Sequence, residues 1–94
     1  MEQGRIYVCD DEPELQQLLR RLLEGRGHAV ETFGGGPQLL RALEEPKEER
    51  PDLVLLDMKL PGMDGLEVLR QIRVARPELP VVICLLYTSD AADE

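Results

Sequence analysis

Carboxylates gather at two places where an apolar run gives out: Arg5-Ile6-Tyr7-Val8-Cys9 leads into Asp10-Asp11-Glu12, and Leu53-Val54-Leu55-Leu56 leads into Asp57. Runs this rich in Ile, Val and Leu suit strands covered on both faces, and in parallel α/β sheets ligands bind beyond the carboxyl ends of the strands. Asp10, Asp11 and Asp57 are therefore expected to converge on one crevice. Two like charges about 4 Å apart repel by roughly 4 kcal/mol at an effective dielectric near 20, so three are tolerated together only when protons or a metal neutralise them. Mg²⁺ is the natural neutraliser, because it prefers a few carboxylates and keeps several of its waters.

The elements that must position these acids are legible from periodicity. After the first strand, Pro13 opens a helix with Glu12 and Glu14 near its positive end and Leu15, Leu18, Leu19, Leu22 and Leu23 at helical spacing. Gly25 and Gly27 stop it. The stretch from His28 to Phe33 reads as a second strand, and Gly34-Gly35-Gly36 as a loop before Pro37 opens a helix carrying Leu39, Leu40, Ala42 and Leu43. Pro46 ends that helix, Lys47 to Arg50 reads as a solvated connection, and Pro51-Asp52 leads into the third strand. Beyond Asp57, the cluster Leu60-Pro61-Gly62-Met63-Asp64-Gly65 forms turns. A third helix follows with Leu66, Leu69, Ile72 and Ala75 inward, ending before Pro77, and Pro80 to Ile83 opens a fourth strand. Strands alternating with amphipathic helices predict an α/β fold: a parallel sheet with right-handed crossovers and helices on both faces.

Composition narrows the partners. The chain has 94 residues, enough for one domain, with 32% charged and 43% hydrophobic residues, as in soluble globular proteins. No apolar stretch approaches the roughly 20 residues of a membrane helix, and the N-terminus lacks a signal-peptide pattern, so a cytoplasmic location is expected. A net charge of −8 argues against direct nucleic-acid binding, which is built mostly on Lys and Arg contacts to phosphate. Cys9 and Cys84, inside apolar strands, read as reduced buried thiols. His28 has no Cys or His neighbour at metal-ligand spacing and reads as a polar residue entering a strand.

In combination, the Asp10-Asp11 pair closing the first strand, Asp57 closing the third and the Leu60-Pro61-Gly62-Met63-Asp64-Gly65 turn resemble the receiver domain of bacterial two-component response regulators, over Arg5 to about Ile83. The resemblance implies a flavodoxin-like, doubly wound parallel sheet with strand order 2-1-3-4-5, for which a receiver is a standing example. It also implies that Asp57 is the phosphoacceptor, attacking the phosphoryl group of a phosphohistidine on a partner sensor histidine kinase and becoming an acyl phosphate. Asp11 matches the family's direct Mg²⁺ ligand, Asp10 the acid that reaches the metal through water, and Lys59 the residue lending its backbone carbonyl. The chemistry agrees, since phosphoryl transfer needs in-line positioning and neutralised charge, and a carboxylate is an established covalent nucleophile. The implied role is that of a signalling phosphoacceptor rather than a turnover enzyme, in a parent protein with a C-terminal output domain. The stretch from Leu60 to Leu69 is similar to that of enhancer-binding transcriptional activators.

Other readings bear on individual residues. Asp11 or Glu12 taken singly would serve as a cap for the helix opened by Pro13, and Asp64 sits where a cap for the third helix is wanted. Gly34-Gly35-Gly36 lacks the Gly-Lys-Ser/Thr ending of a phosphate-binding P-loop. A Mg²⁺-dependent phosphatase using an aspartyl phosphate wants a second acid two residues after the nucleophile, where this chain has Lys59. An alternative from another class is a pseudo-receiver, or a non-functional fragment, acting at most as a protein-docking module.

The chain also departs from the family. The fifth strand and last two helices are missing, so the sheet is expected to be truncated after the fourth strand and its core incomplete. The family's Ser or Thr is expected near position 85, which is Leu85, and its Lys finds no counterpart in Lys47 or Lys59. The segment from Cys84 to Glu94 resembles the translation of a transposon-based sequencing adapter. The expected division is therefore a partial receiver over residues 1–83 and a non-native tail over 84–94.

Overall fold

The structure is a computed structural model that describes residues 4–44, 50–57 and 64–84. Its elements alternate as expected: β1 (Arg5–Cys9), α1 (Pro13–Glu24), β2 (Ala29–Phe33), α2 (Gly36–Ala42), β3 (Leu53–Asp57), α3 (Gly65–Ala75) and β4 (Val81–Cys84). The four strands are parallel and lie in the order β2-β1-β3-β4. That is the order the family resemblance implied for its first four strands. β1 sits in the middle, pairing with both β2 and β3, with Cys9 opposite Phe33 on one side and Leu56 on the other. This register brings the ends of β1 and β3 level, which puts their following acids side by side.

The two faces of the sheet are packed differently because strand side chains alternate. Tyr7, Cys9, Val54 and Leu56 point to one face and meet Leu39 and Leu43 of the α2 segment and Val68 and Ile72 of α3 in the larger core cluster. Ile6, Val8 and Val30 point to the other face, where Leu19 and Leu23 of α1 pack against them. Leu18 and Leu22, which the helical spacing assigned to the same apolar stripe, are 50% and 58% exposed. They flank the contact line instead of lying on it, and Val82 on β4 is likewise exposed. Among the described elements only α1 packs on that face, over β1 and β2.

The helix ends follow local chemistry. Asp64 caps α3, its side chain accepting the Leu66 N–H at 3.5 Å, the structural role its position predicted. At the end of α1, Gly25 keeps right-handed helical angles, and it is Gly27, at φ 95°, that makes the left-handed turn into β2. Cys9 is a free, buried thiol.

Candidate functional site

The site is built where β1 and β3 end. Pairing with strands on both sides leaves Asp10 almost no access to water, at 3% exposure, while Asp11, one residue further on, is exposed and Asp57 is half-buried. Each offers a carboxylate oxygen within 4.8 Å of those of the other two. The convergence expected from the strand ends is therefore present in the fold. Glu12 is the N-cap residue of α1 and makes no side-chain cap bond. Asp10 Oδ1 accepts the Glu12 N–H at 2.8 Å, which forms a turn just ahead of the helix and not a cap.

Electrostatics follow from this crowding. Burial pushes the Asp10 carboxyl above its usual range; the Glu12 N–H opposes the shift, and the charges of Asp57, Asp11 and Glu12 add to it. Cys9, the residue before Asp10, feels the same field. Burial first, and then Asp10, Asp57 and Asp11, push its thiol up to about 12, so it stays protonated and serves as core. Arg20 with Glu24 and Glu67 with Arg70 form ion pairs along helix surfaces.

This set of donors fits a hard divalent cation. Three carboxylate oxygens, one of them from a desolvated acid, offer the charge and the oxygen ligands that Mg²⁺ takes while keeping part of its water shell. Lys59, whose backbone carbonyl was expected to complete the set, lies outside the described residues, as do Leu60 to Met63 and the tail from Leu85. Sequence reasoning missed Gln16. Its side-chain amide bridges the carbonyls of Asp10 and Phe33 where β1 and β2 end, and a polar side chain in the first turn of a helix carries no signal of such reach.

Comparison with known proteins gives a consistent result. Residues 6–93 match the sequence profile of the response regulator receiver domain. The DNA-binding transcriptional regulator NtrC of Escherichia coli K12 is 40% identical over 93 residues, covering 98% of this chain but 19% of the relative. This chain thus spans about a fifth of that protein's length. The sporulation initiation phosphotransferase F of Bacillus subtilis is 38% identical over 87 residues, 93% of this chain and 68% of the relative. Among solved structures, the BeF₃-activated receiver domain of NtrC superposes with a TM-score of 0.76 at 40% identity, covering 98% of this chain and 73% of that one.

Proposed function

Since this chain belongs to the family of response regulator receiver domains, signalling modules of two-component systems, we propose that Asp57 is its phosphoacceptor and that the phosphoryl donor is a phosphohistidine of a sensor histidine kinase. The observation that carries the reading is the convergence of Asp10, Asp11 and Asp57 within 4.8 Å at the ends of the two central strands. Asp57 is the acid that closes β3, and so faces the pair that follows β1. Its carboxylate attacks the phosphorus, the bond to the donor nitrogen breaks, and the phosphoryl group ends as an acyl phosphate on Asp57.

Mg²⁺ would be held by Asp11 and Asp57 directly, by Asp10 through water and by the carbonyl of Lys59, and it would supply charge neutralisation for the transferred oxygens. Asp10 suits the indirect role because one of its oxygens is already engaged by the Glu12 N–H. A relative's receiver is described in a BeF₃-activated form, and trifluoroberyllate on a carboxylate has the shape and charge of a phosphoryl group.

The test is labelling with a small acyl-phosphate donor in the presence of Mg²⁺. Asp57→Asn should abolish it, and labelling that persisted at the wild-type rate would overturn the assignment.

By the same reasoning the parent protein couples this module to a C-terminal output domain in the cytoplasm. No described helix is long and apolar enough to cross a membrane. We further propose that residues 84–94 are a non-native tail. An independent nucleotide read across that junction decides it, although the family match itself runs on to residue 93.

A further inference from the structure

Gln16 stands in the first turn of α1, its own N–H bonded to the Glu12 carbonyl at 3.0 Å, and its side chain turns back toward the strand ends. There Nε2 donates to the Asp10 carbonyl at 2.5 Å and to the Phe33 carbonyl at 3.2 Å. Both partners are acceptors, so the bridge requires a group with two N–H donors, which the amide nitrogen provides. The Phe33 carbonyl also takes the Asp10 N–H at 3.0 Å. The peptide groups on either side of Asp10 are therefore both tied down, one through its N–H and the other through its carbonyl.

The second of these matters most, because the Asp10 carbonyl lies in the peptide plane that joins Asp10 to Asp11. Fixing that plane fixes the direction in which the exposed Asp11 side chain leaves the backbone. We propose that Gln16 is a positioning residue for the metal site, holding the Asp10–Asp11 peptide so that the Asp11 carboxylate is already aimed into the crevice when Mg²⁺ arrives. The inference rests on the Mg²⁺ site proposed above. Without the amide, the peptide is free to rotate, and binding must supply the ordering that the fold now supplies in advance. Partners that orient a ligand from outside its first contacts commonly change metal affinity by about 10- to 100-fold.

Mg²⁺ titration of the full chain, read directly by calorimetry and separately as the Mg²⁺ dependence of acyl-phosphate labelling, tests this. Gln16→Met keeps length and bulk but has no donor, and the half-saturating Mg²⁺ concentration should rise by about tenfold while the labelling rate at saturating Mg²⁺ stays within about twofold. Gln16→Asn, which keeps the amide but cannot span both carbonyls, should raise the half-saturating Mg²⁺ concentration in the same way and covers the case in which the Met variant folds poorly. Gln17→Met on the exposed face of α1 should change neither quantity. A merely structural Gln16 would lower the melting temperature and leave the half-saturation point of the folded protein unmoved, and that outcome overturns the proposal. Failure of the wild type to bind Mg²⁺ would instead sink the site reading itself, and the Gln16 inference with it.

Discussion

The two ends of the sheet treat charge in opposite ways. At the amino ends, polar groups find partners of opposite sign: Asp52 accepts the Arg5 N–H at 2.9 Å, His28 Nδ1 accepts the Gly4 N–H at 3.1 Å, and the Arg76 guanidinium donates to the Leu43 carbonyl. Gly4, Arg5, His28, Asp52 and Arg76 line an open cleft of about 800 Å³ together with Arg50 and Glu78, and among the described residues the buried Arg50 Nε has no hydrogen bond there. At the carboxyl ends, three acids crowd within 4.8 Å and the most buried of them is held above its usual carboxyl range. The same four strands feed both ends, so the sheet does not impose the difference. Like charges held close against their own repulsion, as Asp10, Asp11 and Asp57 are, suit a cation that arrives from outside.

The strongest way to break this comparison is to neutralise one acid at each end. Asp57→Asn should remove acyl-phosphate labelling altogether, while Asp52→Asn should leave the labelling rate within about twofold, as for surface changes away from a site. Equal losses in both variants would mean that the two ends do not differ in function.

Within the crevice, the contrast between exposed and buried acids sharpens the comparison. Asp11→Ala should raise the Mg²⁺ concentration needed for half-saturation by more than about tenfold, and by more than Asp10→Ala does, because Asp10 acts through water. Calorimetric titration of the two variants ranks them. The reverse order would exchange the roles of the neighbouring acids.

A smaller effect appears in stability. Asp10→Asn keeps an oxygen for the Glu12 N–H and removes a charge from the crowd. It should stabilise the metal-free chain by about 1 kcal/mol at neutral pH, the low end of the roughly 1 to 4 kcal/mol for two charges 4 Å apart. The pH dependence has a definite sign. With the folded pKa above the unfolded one, folding takes up protons, so the penalty from Asp10 is absent below the unfolded value and complete above the folded one. The stability gap between Asp10→Asn and the wild type should therefore close as pH falls through that window and shrink when Mg²⁺ is added. Urea midpoints at acid and neutral pH measure it, and a gap independent of both would refute the electrostatic account.

The least effect is expected at the amino end. Asp52→Ala removes one hydrogen bond that an exposed carboxylate accepts from the Arg5 N–H and should cost about 0.5–1.5 kcal/mol, unchanged by Mg²⁺. Any Mg²⁺ dependence of that loss would link the two ends.

Much of this was legible before any coordinates. A strand announces itself by a run such as Leu53 to Leu56, a helix by leucines every three or four residues, and a site by acids placed where those strands stop, because each of these is local chemistry. The cap at Asp64 was legible for the same reason. Distances across the chain are not local. Which of the α1 leucines touch the sheet was decided by how the helix lies over β1 and β2, so Leu19 and Leu23 are in contact and Leu18 and Leu22 are not. The burial of Asp10 against the exposure of its neighbour Asp11 follows from the pairing of β1 on both sides, which no pattern within residues 5–12 contains. Gln16 shows the limit most plainly: its amide serves carbonyls 6 and 17 residues away, brought together only by the parallel crossover that sets β2 beside β1. Residue types and their spacing determined what chemistry the chain can attempt, and the tertiary packing decided which atoms stand close enough, and dry enough, to attempt it.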